Sequence, residues 1–440
     1  LQTILVVVLA CTSADARGVR PVDGDPIVLV YADEYSVRLV DTVSVRELTG
    51  RVHLVHGDVT VYCDRATQYP AANTVVLRGS VRIIQGSMTM MMPKGEYDGM
   101  RSIATGTGGV RITDRSMDLR APEAEYHSTT AIVEFADGVT MDDDSMMITA
   151  ERGRYSRSTQ ESWAWGDVVV RNTHSAVVLA GDSAYHRPAD AYSRIEGHAM
   201  LERTQTSSGA SEPAPGTGTD TLQSSSATPT PKDRVRKGRK RTNTMQPAVA
   251  DTQEPARSAV RVGTVATAAV DTLTIAAWRM ESFRRPADER YVATGEAEII
   301  RGRMATRSHS CVFEATTESF RLRGEPRLWA DSLALIADSI DVDFTNRSLH
   351  AVHADGTAFL LLSDSASAGR SQQIGAETID ITVTDDTIRR VSGIRSAASL
   401  YFMQDDAGPA GASRTACDSL FVLFTAGQVD TIVWRSGVSS

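Results

Sequence analysis

Between about residue 50 and residue 200, apolar and polar positions alternate with a period of two. Val110 and Ile112, then Met117, Leu119 and Ala121, then Val139 and Met141 fall on one face of their segments; Arg111, Asp118 and Arg120 fall on the other. Successive side chains of a strand point to opposite faces, so this pattern predicts antiparallel strands with one buried face and one wet face. Asp-Gly and Gly-Gly pairs and the run Asp142-Asp143-Asp144 mark turns between them. No segment carries a long apolar stripe at helical spacing, so the expected class is all-β.

The strands recur as a unit. Tyr69, Tyr97, Tyr126, Tyr155 and Tyr185 follow one another at steps of 28, 29, 29 and 30 residues. Val59, Val81, Val110, Val139, Val168 and Ala199 form a second ladder, each rung one or two residues past a glycine. Two marks at one period are the signature of a stacked repeat. About 29 residues hold two or three strands of ordinary length. The tyrosines read as flanks of the unit, with their hydroxyls wet.

Composition adds three boundaries. Residues 204–258 contain no aromatic and no isoleucine and are rich in Ser, Thr, Pro and Gly. Such a segment buries too little apolar surface to fold, and is expected to be a disordered insertion. It includes the basic run 232–241, read as a solvated linker or as a contact for anionic headgroups. The pattern resumes after it: Gly295 opens a unit, Gly324 follows 29 residues later, and Phe320 takes a tyrosine position. Gly408 and Gly411 are read as flanking a small loop. The expected organisation is a first array over 27–203, the insertion over 204–258, and a more divergent second array over 259–436. These are two arrays joined by a linker, or one array with an insertion in a hairpin.

Ile4 to Ala10 is a short apolar run followed by Ala14-Asp15-Ala16, the pattern of an export signal over 1–16. A rival reading takes Val8-Leu9-Ala10-Cys11 as a lipobox with Cys11 acylated. Both place the protein outside the cytoplasm. Cys63, Cys311 and Cys417 are too few and too scattered for a disulfide framework, and are read as small buried thiols. A net charge of −9 argues against a nucleic-acid partner.

Catalytic and metal constellations are not expected. His53 and His56 sit three apart on a strand and point to opposite faces, which argues against joint metal ligation. Asp142-Asp143-Asp144 reads as a solvated turn or a loose calcium loop. There is no nucleophile elbow, zinc-protease helix or phosphate loop. No cofactor is implied.

The unit Gly-x-Val-x-Ile, then Met-x-Leu-x-Ala, then Tyr, then Gly, resembles the OstA-like (organic solvent tolerance) family, closely over about 50–200 and more loosely over about 270–435. That family includes periplasmic lipopolysaccharide-transport bridge proteins and the N-terminal domain of an outer-membrane assembly protein. The resemblance implies a repeat-built antiparallel β-jelly roll, partly open as a solenoid-like trough, in a non-enzymatic protein of the periplasm or outer membrane. It implies lipopolysaccharide or a related glycolipid as ligand, and other transport jelly rolls as partners through strand-edge pairing. The trough lining expected from the alternation is Val59, Val61, Val81, Ile83, Val110, Ile112, Leu119, Val139, Met141, Ile148, Val168, Val170 and Leu179. The chain departs from a minimal bridge protein in its length and insertion, and it lacks the strand pattern of a porin-type barrel. Alternatives are a secreted structural or adhesive β-solenoid and, less favoured, a β-helix polysaccharide lyase.

Overall fold

The computed structural model describes residues 25–40, 43–206, 270–285, 288–363, 371–405 and 408–440. The export signal over 1–16, the lipobox with Cys11, and the insertion beyond Thr206 with its basic run lie outside the described residues. Among the described residues no α-helix occurs, and no helix is long and apolar enough to cross a membrane.

Among the described residues the strands up to the insertion number fifteen. They begin with β1 (Val28–Tyr31), β2 (Glu34–Val40), β3 (Val43–His56), β4 (Val59–Tyr69), β5 (Thr74–Gln85) and β6 (Met88–Asp98). Next come β7 (Ile103–Asp114), β8 (Met117–His127), β9 (Ile132–Ala136), β10 (Val139–Asp143), β11 (Met146–Ala150) and β12 (Arg152–Ser156). The group ends with β13 (Glu161–Asn172), β14 (Val177–Arg187) and β15 (Tyr192–Thr206).

Past the insertion lie β16 (Val270–Arg285), β17 (Asp288–Arg301), β18 (Met304–Glu314), β19 (Ser319–Arg323), β20 (Arg327–Ala330) and β21 (Leu333–Ile336). The last six are β22 (Ser339–Thr345), β23 (Ser348–Ser363), β24 (Ser371–Thr384), β25 (Thr387–Asp405), β26 (Gly408–Thr425) and β27 (Gln428–Arg435). The stretch holding Gly408 and Gly411 is therefore strand, with Met403 facing Gly411 across β25 and β26, and not the small loop expected.

The 27 strands of the described residues share one hydrogen-bonded sheet, and every described pairing is antiparallel. Each long strand pairs with the next through a hairpin, so two strands make one repeat unit. At β9/β10, β11/β12, β19/β20 and β21/β22 a long strand is divided in two. The sheet does not stop at the insertion: the Arg284 N–H donates to the Ala191 carbonyl at 3.0 Å, and Tyr192 packs on Phe283 with ring centroids 5.3 Å apart. The expectation of an all-β, antiparallel, repeat-built jelly roll matches this architecture.

The periodic glycines mark corners. The register of β4 with β5 breaks between Tyr62/Arg65, and that of β5 with β6 between Arg78/Val81, where Gly79 (φ +73°) and Ser80 (φ +47°) are both left-handed. Two such residues in succession fold the strand over. A Cβ at Gly79 would lie 3.0 Å from the Cβ of Asp64 on β4 and closer still to its carboxylate. The same pair of left-handed residues recurs at Gly50, Gly166, Gly197, Gly295, Gly324 and Gly356, several of them beneath an acidic side chain of the preceding strand. Each corner divides a strand into two half-strands. The inner faces of the two sets share one apolar cluster running through both arrays.

Candidate functional site

The predicted lining residues stand on the inner face of one set of half-strands. Val61, Ile83, Met90, Ile112, Leu119, Met141, Ile148, Val170, Leu179 and Leu201 are consecutive cross-strand partners and form one unbroken aliphatic row. Val81, Val110, Val139 and Val168 lie beside that row, nearer the corners, and Val59 lies nearer the opposite end. All thirteen are at most 4 % exposed. A second row runs from Ile275 and Ile299 through Thr306, Leu328, Leu335, Leu360 and Ile374 to Ser399 and Thr415.

The facing half-strands present mostly small residues, seven of ten being glycine or alanine. Ala66, Leu77, Gly95, Gly106, Ala124, Phe135, Gly153, Ala164, Ala184 and Ile195 are paired in one row. Large groups from the first face fill the space this leaves. A Cβ at Gly106 would lie 2.9 Å from Met90 Cε and from Val110 Cγ2, and one at Gly95 would lie 2.8 Å from Met92 Cε. Met88, Met90, Met92, Met117, Met141 and Met146 are all buried here. Methionine is unbranched and adaptable, so this wall can repack around a differently shaped neighbour.

At the end away from the corners the two faces meet in a row of polar contacts. Tyr97, Tyr126 and Tyr155 are fully buried there, contrary to the wet hydroxyls expected. The Tyr97 hydroxyl meets His56 Nδ1 at 2.7 Å, and burial pushes its phenol up to about 12. The Tyr126 hydroxyl donates to Gln85 Oε1 and accepts from Arg157 Nη1 at 2.6 Å. Arg157 also donates to Asp114 Oδ2 at 3.1 Å and to the Gln85 carbonyl at 3.0 Å. The hydroxyl of Tyr155 is buried, and burial pushes its phenol up to about 12.

Tyr69 and Tyr185 behave differently, because their steps of 28 and 30 break the 29-residue register. A one-residue slip turns a strand residue to the other face. Gln68 and His186 take the inner positions instead. Tyr185 faces outward against Trp163, with ring centroids 5.5 Å apart.

Asp143 is neither solvated nor part of a cation loop. Its Oδ2 lies 3.2 Å from His186 Nε2, and its Oδ1 accepts from the Ser145 and Met146 amides. Burial alone would raise this carboxyl, but the hydrogen bonds from His186 and Ser145 outweigh it and hold it well below the usual carboxylate range. His186 Nδ1 lies 3.0 Å from Ser193 Oγ. This Asp-His-Ser contact is enclosed, with His186 and Ser193 each 2 % exposed, so it offers no substrate a route to the hydroxyl. His53 stacks outward on Tyr62 while His56 points inward, as the strand alternation requires. Among the described residues no group of three or more His, Cys, Asp or Glu is arranged to hold a metal.

The outer face is ionic. Asp118 accepts from Arg111 at 2.9 Å and from Arg120 at 2.6 Å. On the inner side of the second array, Arg301 is buried between Asp271 (3.0 Å) and Glu318 (3.1 Å) and lies 4.2 Å over the Phe344 ring. Cys63, Cys311 and Cys417 are free and buried. Sequence reasoning missed Met90 and Leu201 as members of the aliphatic row, Leu54 as the partner of Val61 that extends it on β3, and the whole row of polar contacts.

Residues 25–180 match the family described as OstA-like protein, which is the resemblance carried by the repeat units. A similar solved structure is that of LptH, the LptA homologous periplasmic component of the conserved lipopolysaccharide transport device of Pseudomonas aeruginosa. It is 18% identical with a TM-score of 0.24, over 24% of this chain and 82% of that one. A search of curated proteins finds no match.

Proposed function

We propose that the protein is a non-enzymatic carrier of the periplasm or outer membrane. It takes the acyl chains of lipopolysaccharide, or a related glycolipid, between its two inner faces and assists their passage to the outer membrane. The observation that carries this reading is the unbroken aliphatic row from Val61 to Leu201, faced mostly by glycine and alanine and lined by methionine. The OstA-like match supports the lipopolysaccharide context. A row without a polar interruption lets an alkyl chain slide along it, and each methylene withdrawn from water contributes about 0.8 kcal/mol. The thirteen lining residues above are the proposed contacts.

Strand-edge pairing with another jelly roll is the proposed partner mode. Within the described residues β2 pairs with β3 alone, and its inner-face residues Tyr35, Val37 and Leu39 are exposed. An open edge of this kind is a template for a further strand.

The tight burial of the lining is what a purely structural repeat would also show, so the test must separate the two. A photo-crosslinking residue at Val110 or Met141 is expected to capture lipopolysaccharide in cells, and one at outward Arg111 is not. Capture from Arg111 alone sinks the proposal. Native mass spectrometry of the purified protein should show co-purified lipid, whereas lipid-free protein at every preparation favours the structural reading.

A further inference from the structure

His56, Gln85, Asp114, Asp143 and Asn172 are the last residues of β3, β5, β7, β10 and β13, and they follow one another at steps of 29. The first four reach across to the facing half-strands: His56 to Tyr97, Gln85 to Tyr126 and Arg157, Asp114 to Arg157, and Asp143 to His186. Asn172 caps its own turn, accepting from the His174 and Ser175 amides. Arg301 with Glu318 repeats the crossing in the second array. The corners join the two faces covalently on one side, so this polar row is a seam that closes the interior on the other.

The seam is driest at the Asp114–Arg157 pair, while His56 and Gln85 are half-buried. The Asp114 side chain is 1% exposed and that of Arg157 13%. Apolar pairs of similar volume generally hold a buried interface as well as ion pairs or better, because charges must be desolvated. Cohesion alone does not account for such a row. A polar seam differs in what happens when it parts. Its groups exchange protein partners for water at small net change, whereas an apolar seam has no such replacement. Parting would expose the aliphatic row beneath, which favours closure again unless an apolar guest covers that row.

We propose that the seam is the line along which the interior opens to admit an unbranched fatty acyl chain, with Gln85, Asp114, Tyr126 and Arg157 as its latch. This rests on the carrier reading above. The four are positioning residues: they set how often the faces part, and the aliphatic row holds the guest.

Two native thiols report the opening. Cys63 lies on the inner face of β4 at the corner end of the interior, across from the seam, where its thiol donates to the Arg65 carbonyl; burial pushes it up to about 11, and a reagent entering by the seam reaches it only when the faces part. Cys311 is buried on β18 in the second array. The experiment labels the full chain with N-ethylmaleimide and follows each cysteine by peptide mass spectrometry, in the parent, Asp114→Asn and the milder Tyr126→Phe. The expected result is at least tenfold faster labelling of Cys63 with Cys311 unchanged. An unchanged Cys63, or both thiols accelerating together as in global loosening, overturns the latch.

A second arm measures capture of a diazirine-bearing dodecanoate, which should accelerate in the same variants. Faster Cys63 labelling with capture at the parent's rate overturns the seam as the route while leaving the carrier reading standing. No capture by any protein, the parent included, overturns the carrier reading and the acyl route with it.

Discussion

Gly79→Ala tests whether the corners explain the 29-residue glycine period. An L-residue held at Gly79's left-handed φ of +73° costs about 1–2 kcal/mol. The new Cβ would also press on Asp64, 3.0 Å from its Cβ and 3.1 Å from its Cγ. Forcing that side chain off its rotamer adds about 0.5–1.5 kcal/mol. It also breaks the Ser80 hydroxyl bond to Asp64 Oδ2, now 3.1 Å, worth about 0.5–1 kcal/mol net. The expected loss is about 2–4.5 kcal/mol by these terms. Gly57→Ala is the control: φ is +58°, but no atom lies within 4 Å of the place its methyl would take, so only the backbone cost of about 1–2 kcal/mol applies. Asp64→Ala in the Gly79→Ala background should restore about 1 kcal/mol, a coupling that a double-mutant cycle isolates. Urea midpoints at constant slope give all four values. Equal losses for the two glycine variants, with no coupling to Asp64, would refute the corner argument.

Leu119→Ala removes a fully buried member of the aliphatic row and should cost about 2–5 kcal/mol in lipid-free protein. If acyl chains occupy the interior, added lipid should recover more of that loss than it adds to the parent; equal shifts in thermal unfolding speak against it. Asp143 supplies a pH dependence. Its carboxyl is depressed in the folded protein, so its contribution is present above the unfolded value of about 3.9 and is lost as pH falls below that. Asp143→Asn should flatten the acid limb of a stability-against-pH curve, and an unchanged limb would contradict the assignment.

The strand alternation showed which residues face inward, because period two survives wherever a strand is unbroken. Val61, Ile112 and Met141 stand where it put them. The tyrosines were harder to read. Their ladder counts residues without regard to face, and the odd-numbered departures at Tyr69 and Tyr185 carry those two outward while Gln68 and His186 turn in. The polar row was legible in principle, since His56, Gln85, Asp114, Asp143 and Asn172 keep the 29-residue step and each precedes a turn. What concealed it is that polar residues before turns are ordinarily solvated. The divergent second array follows from the same devices with other residues: Trp278 and His309 stand over corner glycines where the first array uses acids, and Phe313 takes the position of Tyr126 and stacks at 4.7 Å on Phe320, which stands where the first array has Val133 and not a tyrosine.

A sheet in which each strand bonds only to its neighbours has no built-in length. A unit of two strands brings one corner pair, one segment of the aliphatic row and one polar rung, and it advances the array by two strand spacings, about 10 Å. Removal of a whole unit therefore shortens the array and returns the chain to the same edge, heading in the same direction. Loss of a single strand delivers everything downstream to the opposite edge and sets each rung against the wrong partner. Inheritance of such a protein thus tolerates changes of size only in whole pairs of strands, and relatives of very different lengths can share one cross-section.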